Sequence, residues 1–380
     1  MAKKKQYTFI DLFAGAGGLS LGLEQAGFTP VFVNEIVPQF CETYKRNRDL
    51  PESAYYVGDI KSLNQENWIT DKFKDVTLVC GGPPCQGFSM ANRQRVIDDP
   101  RNELYKEYLK FLQKIRPQFF IMENVRGMMS RWEEIKSNFE EYLNDGEEKY
   151  QFGCKLFLAE EYGVPQHRER FVVIGNRIGV NPQSVIDEIN KNRRLPFLLK
   201  DALVGLPALG HKTTKGDNSV ENEATGYTEV DFSYLENDFY RFINGENHIQ
   251  KLYNHKNRYN NSRDVEIYSR LPQGANSLHE SIVDIMPYSS RNDIFKDKYY
   301  KLQEDRICKT ITSHMKFDCN MYIHPWYSRG LTAREAARIQ TFPDDFVFTG
   351  AQNSWYAQVG NAVPVKLAKA LGCGIMKFLK

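Results

Sequence analysis

The residue of this 380-residue chain best suited to covalent chemistry is Cys85. It follows the corner Gly81-Gly82-Pro83-Pro84, which ends a mostly apolar run, Val76 to Val79, typical of a buried parallel strand. Glycine lets the backbone approach a ligand closely and proline fixes φ, so we expect a stiff turn at the strand's carboxyl end. A thiol there could react as a nucleophile. Because most free cysteines are small buried hydrophobes, this stretch alone leaves both interpretations open.

Charged residues at two other predicted strands could act together with this thiol. Four large apolar residues of a buried strand lead directly to Glu123, a carboxylate that is costly there unless it is solvated, paired or functional. Farther along, Arg168 and Arg170 would share one side of an extended segment. His167, beside them, could be a general base, although a lone His next to two arginines more often serves as a hydrogen-bonding residue.

A glycine-rich turn and two acids predict a nucleoside site. Tyr7 to Phe13 is rich in β-forming residues and leads into Ala14 to Gly18, after which a helix begins. Glu35 and Asp59 end the next two predicted strands, where a carboxylate can hydrogen-bond ribose hydroxyls. The sequence has no Gly-Lys-Ser/Thr phosphate loop, which argues against a triphosphate. A nucleoside without phosphate needs an apolar wall, which could come from Phe13, Ile36 and Ile60.

The regular alternation of strands and helices ends after Asn176, and it predicts an α/β domain with a Rossmann-like, mostly parallel sheet. Residues 181–325 are instead dense in Asn, Lys, Arg, Tyr and His, as in 254–261. Such side chains suit phosphate and base-edge contacts, but on composition alone a solvated irregular domain is the better explanation. Helical periodicity returns at 332–340, where Thr332 and Glu335 could form a capping box.

Composition excludes several classes of protein. Hydrophobic residues make up 41% and charged residues 26%, as in ordinary globular enzymes, and the net charge of +2 allows only local basic clusters. Seven cysteines without CxxC pairs argue against a disulfide framework and against a zinc site, so we expect no metal. No signal peptide or membrane-length apolar run is present, and we expect a cytoplasmic protein with reduced thiols.

Taken together, Cys85, Glu123, Arg170 and a nucleoside site allow one complete reaction. A thiolate adds well to the C5–C6 double bond of a pyrimidine when an acid holds N3 and a cation holds O2. Addition at C6 makes C5 an enamine-like carbon that attacks an electrophilic methyl group, and loss of the C5 proton then releases the cysteine. A nucleoside without phosphate that carries an activated methyl group is S-adenosylmethionine.

Six motifs follow one another along the chain. They are Asp11-Leu12-Phe13-Ala14-Gly15-Ala16-Gly17-Gly18, Pro83-Pro84-Cys85-Gln86, Glu123-Asn124-Val125, Gln166-His167-Arg168-Glu169-Arg170, Arg334-Glu335-Ala336-Ala337-Arg338 and Gly360-Asn361-Ala362-Val363-Pro364. In this order they resemble the motifs of DNA (cytosine-5) methyltransferases. The resemblance covers the chain except residues 181–325, where that family carries its variable target-recognition domain. It implies a catalytic domain of residues 1–180 plus 326–380 with the S-adenosylmethionine-dependent methyltransferase fold, and a smaller, irregular recognition domain of residues 181–325.

Carried over residue by residue, the resemblance implies that Cys85 is the nucleophile. Glu123 would bind N3 and the exocyclic amine of cytosine, and Arg170 would contact O2 with support from Arg168. The implied DNA contacts are Ser89 and Arg101 in a mobile catalytic loop, and Thr310-Ile311, where Ile replaces the family's Leu. The implied cofactor site contains Phe13, Gly15, Gly17, Gly18, Glu35, Ile36, Asp59, Ile60, Pro83, Leu104, Asn361 and Val363.

The resemblance further implies a partner and a role. The family methylates double-stranded DNA after flipping the target base out of the duplex. Because only a few residues precede the first motif, we expect a stand-alone, monomeric bacterial or phage enzyme, often paired with a separate restriction endonuclease. Two alternatives are a tRNA-methylating relative, disfavoured by the long recognition region and the lack of Cys-Phe-Thr, and a non-catalytic DNA-binding regulator, disfavoured by intact Cys85, Glu123 and Arg170.

Overall fold

The computed structural model describes residues 6–84, 103–144, 149–214, 220–232, 237–286 and 298–379, and its main feature is a seven-stranded sheet. The strands are β1 (Thr8–Leu12), β2 (Thr29–Glu35), β3 (Tyr55–Val57), β4 (Leu78–Gly81), β5 (Phe119–Asn124), β6 (Gln151–Leu158) and β7 (Glu169–Asn176). Their spatial order is β3-β2-β1-β4-β5-β7-β6. Strands β1 to β5 pair in parallel, whereas β7 is antiparallel to both β5 and β6. The prediction of an α/β fold with a mostly parallel sheet is therefore confirmed.

Helices cover the sheet because its central strands are buried and mostly apolar. Strands β4 and β5 are buried at every position, as expected for parallel strands that are covered on both faces. The helices that belong with the sheet are α1 (Gly18–Gln25), α2 (Pro38–Arg46), α3 (Ile60–Leu63), α4 (Trp68–Phe73), α5 (Leu104–Ile115), α6 (Trp132–Leu143), α7 (Pro182–Asn190) and α13 (Val365–Met376). Helix α13 packs against α1 and α7, so the first and last helices of the chain lie side by side.

The chain divides into two compact units. The sheet unit comprises residues 1–163, 168–195 and 363–380, and the second unit comprises 164–167 and 196–362. Residues 326–362, which the motif resemblance assigns to the catalytic domain, group with the second unit in terms of packing. Their assignment to the catalytic domain is a functional prediction that this division does not test.

The second unit contains little regular structure. Its elements are α8 (Leu199–Leu203), β8 (Thr228–Glu229), α9 (Asp238–Asn244), β9 (Lys251–Leu252), α10 (Ser262–Arg270), α11 (Ala333–Ile339) and α12 (Gln352–Asn361). Buried ion pairs help to hold these pieces together. Arg338 donates to both carboxylate oxygens of Asp344 at 2.7 and 2.8 Å, and Arg329 donates to both oxygens of Glu335 at 2.8 and 2.7 Å. Bidentate pairs of this kind fix orientation as well as contributing energy.

The predicted capping box is present at the start of α11. The Glu335 amide donates to the Thr332 hydroxyl at 3.1 Å, and the Thr332 amide donates to the Glu335 carboxylate at 2.7 Å. Glu335 therefore has two functions, because the same carboxylate also pairs with Arg329. Burial opposes its charge, but the guanidinium of Arg329 and the imidazole of His324 outweigh burial and hold the pKa of Glu335 well below its usual range.

The run from Asn254 to Asn257 is buried and structural. Asn254 exchanges two 2.9 Å hydrogen bonds with the backbone of Phe348, and Asn257 donates to the Gly210 carbonyl oxygen at 2.7 Å. His255 lies between the Thr332 hydroxyl and the Pro207 carbonyl oxygen, at 3.0 and 2.8 Å. These side chains satisfy the backbone of an irregular unit, and their burial differs from the solvated surface that composition favours.

The structure bears on two further expectations from composition. Among the described residues, no helix combines the length and apolarity needed to cross a membrane. Within the same part of the chain, His, Cys, Asp and Glu side chains nowhere form a group of three or more that could hold a metal ion.

Candidate active site

The corner that leads to the predicted nucleophile is held by the strand beside it. The Asn124 side-chain amide, at the end of β5, donates to the Pro83 carbonyl oxygen at 2.9 Å, and its oxygen accepts from the Val125 amide at 2.9 Å. Gly82 lies so close to Glu123 that a Cβ atom there would be 2.9 Å from Glu123 Oε2. Cys85 itself lies outside the described residues, as do Ser89 and Arg101.

The structure brings the predicted base-binding residues Glu123 and Arg170 into direct contact. Arg170 Nε lies 2.5 Å from Glu123 Oε1, and the two residues are only 8% and 9% exposed. The contact depends on strand direction, because antiparallel pairing places the start of β7 beside the end of β5. Burial lowers the pKa of Arg170, and the Glu123 carboxylate opposes that shift.

Arg168, the predicted supporting residue, is also buried. Its backbone amide donates to Glu160 Oε2 at 3.3 Å, and its carbonyl oxygen accepts from the Ala159 amide at 2.9 Å. These bonds fix the chain immediately before β7, and therefore the position from which Arg170 projects.

The glycine-rich turn after β1 binds the carboxylate at the end of β2. The Gly15 amide donates to Glu35 Oε2 at 2.7 Å, and the Val37 amide donates to Glu35 Oε1 at 2.8 Å. Burial raises the pKa of Glu35, and the hydrogen bonds from these backbone amides oppose that shift. Phe13 adopts a φ of 55°, a left-handed conformation that costs energy for a residue with a side chain. Backbone strain thus accompanies the predicted cofactor site.

The residues beside this turn have the chemistry that a nucleoside site needs. A Cβ atom added at Gly15 would meet nothing within 4 Å, and Ile36, at the end of β2, is an apolar side chain left 60% exposed. Each carboxylate oxygen of Glu35 has capacity for a further hydrogen bond, as ribose hydroxyls require. The chemistry of these residues therefore fits the adenosine part of S-adenosylmethionine, which the fold class also implies.

Other residues of the predicted cofactor site have structural contacts of their own. Asp59 caps α3 by accepting from the Lys61 amide at 2.9 Å. Ile60 is 2% exposed and belongs to the apolar core, so its side chain does not form an exposed wall. Leu104 is half-buried against the same core, and Pro83, Val363, Gly17 and Gly18 also belong to the sheet unit. Asn361 is exposed at the end of α12 in the second unit.

In the second unit, the predicted DNA contacts Thr310 and Ile311 are fixed by residues 166 and 167. The Thr310 hydroxyl donates to the His167 carbonyl oxygen, and the Ile311 amide donates to Gln166 Oε1, both at 2.6 Å. The Gln166 amide in turn donates to Gln340 Oε1 at 3.0 Å. Ile311 is fully buried, so in this conformation it anchors Thr310 and does not present an apolar surface.

Thr310 borders a groove of about 580 Å³ in the second unit. Its lining includes Arg306, Lys309, Asn276 and Gln303, and no carboxylate is present among its described lining residues. Lys309 also lies over the ring of Tyr300, 5.2 Å from the centroid. A groove with two cations and two amides can contact phosphates and base edges.

Sequence reasoning missed two amides that shape the site, Asn124 and Gln340. Both are almost completely buried, and a buried polar side chain must find hydrogen-bond partners. The only signal in the sequence is the position of Asn124 directly after an apolar run and Glu123, because Gln340 follows a helix that holds three charged residues. The partners themselves depend on tertiary contacts.

Comparison with known proteins agrees with the geometry. Residues 7–377 match the family model described as C-5 cytosine-specific DNA methylase. Type II methyltransferase M1.HphI of Haemophilus parahaemolyticus is 33% identical over 386 residues, covering 98% of this chain and 87% of that protein. Type II methyltransferase M.DdeI of Desulfomicrobium norvegicum is 32% identical over 393 residues, covering 96% of this chain and 87% of that protein.

Solved structures show the same fold. A protein from E. coli, described as a DNA modification methyltransferase encoded within a prophage, superimposes with a TM-score of 0.75 at 26% identity, covering 98% of this chain and 99% of that one. The Dnmt2 methyltransferase of S. pombe matches with a TM-score of 0.57 at 16% identity, covering 99% of this chain and 100% of that one. The fold, the ordered motifs and the family match together show that this chain belongs to the C-5 cytosine-specific DNA methylase family.

Proposed function

We propose that this enzyme transfers a methyl group from S-adenosylmethionine to C5 of a cytosine within a specific sequence of duplex DNA. The observation that carries the proposal is the buried Glu123–Arg170 pair beside the corner that leads to Cys85. A cytosine that is to be attacked at C6 needs an acid at N3 and a cation at O2. The pair supplies both at one end of the sheet.

The reaction assigns one role to each residue. The Cys85 thiolate forms a bond to C6, and the electron pair of the C5–C6 double bond moves to C5. Glu123 holds N3 and the exocyclic amine, while Arg170 holds O2, so the ring can accept this charge. S-adenosylmethionine, when bound, supplies the methyl group that C5 accepts. The C5 proton is then lost to solvent, its electron pair restores the C5–C6 double bond, and the C6–S bond breaks to release Cys85 as a thiolate.

The Glu123–Arg170 pair is better explained by function than by stability. Removing two charges from water costs several kcal/mol per ion, and a buried ion pair often stabilises a fold no more than apolar residues would. Glu123 and Arg170 both lie at the end of the sheet where β4 and β5 end, beside the corner that leads to Cys85. When cytosine binds, its hydrogen bonds to Glu123 and Arg170 would replace part of the contact between these two side chains.

The glycine turn, Glu35 and Ile36 would hold the adenosine part of the cofactor. The amides of Gly15 and Val37 already fix the orientation of the Glu35 carboxylate. Its remaining lone pairs are therefore preorganised to accept hydrogen bonds from a ligand. Asp59 and Leu104 belong to the same unit and remain proposed contacts. Asn361 and Val363 are proposed on the resemblance of their motif alone.

DNA would be bound by the second unit, and the target base would leave the duplex because its C6 atom is inaccessible within the stack. Thr310 and the groove with Arg306 and Lys309 support this part of the proposal. Ser89 and Arg101 are proposed phosphate contacts outside the described residues. Several relatives are named Type II methyltransferases, and we propose that this enzyme likewise protects DNA from a restriction endonuclease that acts separately.

The covalent step can be tested with duplex DNA that carries 5-fluorocytosine at the methylated position, first mapped by bisulfite sequencing of a treated plasmid. Fluorine cannot leave as a proton does, so we expect a protein–DNA adduct that survives denaturation and requires S-adenosylmethionine. Cys85→Ser should abolish both the adduct and methyl transfer, while Cys373→Ser, a half-buried control in the sheet unit, should retain both. Methyl transfer by purified Cys85→Ser would overturn the mechanism.

A further inference from the structure

Gly17, the last residue of the turn before α1, rests against two side chains from the α2 region. Its φ of 86° is left-handed, a conformation that favours glycine. A Cβ atom at this position would lie 2.7 Å from Tyr44 Cδ2 and 2.8 Å from Arg48 Nη1. The turn is therefore in close contact with Tyr44 and Arg48, which none of the methyltransferase motifs includes.

Arg48 fixes the backbone of this turn. Its Nη2 donates to the Gly17 carbonyl oxygen at 3.0 Å, and its Nε donates to Glu24 Oε1 at 2.6 Å. The guanidinium lies 3.8 Å from the centroid of the Tyr44 ring, and only 3% of the side chain is exposed. A planar guanidinium held by stacking and by a carboxylate has little freedom, so the carbonyl that it binds has little freedom as well.

Tyr44 connects the first turn of α1 to the sheet. Its hydroxyl donates to the Ser20 hydroxyl at 2.7 Å, and Ser20 donates to the buried carboxylate of Asp11 in β1. The Cys80 thiol of β4 also points to Asp11, at 3.6 Å. Burial raises the pKa of Asp11 to about 7, and the Ser20 hydrogen bond opposes this shift. The network thus ties the start of α1 to two neighbouring strands.

We propose that Tyr44 and Arg48 are positioning residues that hold the Gly15–Gly17 turn in the conformation that binds S-adenosylmethionine. The Gly15 amide, two residues from the carbonyl held by Arg48, is the group that orients Glu35, and open space begins at Gly15. Without these two side chains the turn would be less ordered before the cofactor binds. Ordering it on binding would cost conformational entropy and so lower the affinity for the cofactor. This inference rests on the proposed use of S-adenosylmethionine.

Tyr44→Phe and Arg48→Lys separate positioning from folding. Tyr44→Phe keeps the ring that stacks on Arg48 and removes only the hydrogen bond to Ser20, while Arg48→Lys removes the planar fork. A matched control is Tyr150→Phe, which deletes a buried hydrogen bond to the Pro117 carbonyl oxygen ahead of β5, away from the carboxyl ends of the strands. All variants are measured as full-length protein for cofactor affinity by calorimetry, DNA affinity, urea unfolding and amide hydrogen exchange without cofactor.

For each of the two variants we expect the Kd for S-adenosylmethionine to rise about two- to tenfold, the effect of one net hydrogen bond. Amide exchange of residues 13–20 in the cofactor-free protein should become faster, while DNA affinity and kcat at saturating cofactor stay at wild-type values. Tyr150→Phe should lower the urea midpoint and leave the Kd for the cofactor, the DNA affinity and the exchange of residues 13–20 at wild-type values.

Two outcomes would overturn the inference. One is an unchanged Kd for the cofactor together with unchanged exchange of residues 13–20. The other is a fall in stability with parallel losses of cofactor and DNA affinity, which indicates a structural role. If the wild-type protein itself fails to bind S-adenosylmethionine, the proposed function fails first, and the exchange data still report whether the two residues hold the turn.

Discussion

Asn124 offers a sharp test of how the site is held together. Its amide nitrogen donates to the Pro83 carbonyl oxygen two residues before Cys85, and its oxygen accepts from the Val125 amide. Asn124→Asp keeps the size and the acceptor but removes the donor. It also places a carboxylate oxygen 2.9 Å from a carbonyl oxygen, so the corner must move away from β5.

The size of the effect follows from burial. Asn124 is 4% exposed, so the Pro83 carbonyl oxygen would lose its partner in a place that water reaches poorly. An unsatisfied buried group costs about 1–3 kcal/mol. If this whole cost appears in the transition state, where the thiolate must lie at C6, the single-turnover rate falls about five- to 150-fold.

The chain contains a matched control at the other end of the sheet. Asn176, at the end of β7, donates to the Val180 carbonyl oxygen at 2.7 Å, accepts from the Val180 amide at 3.0 Å and is fully buried. Asn176→Asp should lower the urea midpoint as Asn124→Asp does, with the rate per folded enzyme unchanged. The reasoning is refuted if the two variants lose single-turnover rate equally, or if Asn124→Asp methylates at the wild-type rate.

Glu123→Gln keeps the shape of the base-binding residue but removes its charge, so kcat should fall about 10²- to 10⁴-fold while cofactor affinity is retained, as methyl-transfer assays and calorimetry can check. Arg338→Met leaves Asp344 buried without its cation, and we expect a loss of about 3–5 kcal/mol in urea unfolding; a loss under 1 kcal/mol would contradict that expectation. Burial lowers the pKa of His255 from 6.5 to about 4, so the unfolded chain binds the proton more readily and stability is lost as pH falls below 6.5. Relative to His255→Gln, the wild type should lose about 2 kcal/mol between pH 7 and pH 5, and equal pH dependence of the two proteins would contradict the shift. DNA binding should weaken steeply between 50 and 200 mM salt because it displaces counterions, and a flat dependence would count against a phosphate-contacting surface.

The sequence predicts most elements of the sheet unit because their signals are local. Local patterns predict a strand over Gln151–Leu158 and helices over Leu104–Ile115 and Val365–Met376, and the structure has all three elements with those bounds. Thr332 and Glu335 form the capping box because both partners lie within one helical turn. The chemistry proposed for the strand ends is likewise visible as polar residues that follow apolar runs, as at Glu35 and Glu123.

Long-range pairing was not predictable in the same way. No local pattern gives the antiparallel direction of β7, although that direction brings Arg170 to Glu123. Ile60 and Ile311 carry motif positions, but packing buries both side chains. The same holds for residues 254–257, whose polar side chains serve backbone groups that lie up to 94 residues away. These features depend on which surfaces meet in the folded chain.

The position of α13 has a consequence for the order in which the enzyme is made. This helix covers α1 and α7, yet it is synthesised after the whole second unit. At ribosomal rates of 5–20 residues per second, roughly 20 to 70 s pass between the synthesis of α1 and the synthesis of α13. The apolar face of α1 that α13 covers is exposed during that time. The sheet unit cannot complete its packing until that interval has passed. We therefore expect nascent chains to expose apolar surface of the sheet unit, which contains Glu123 and Arg170, until the last helix is made.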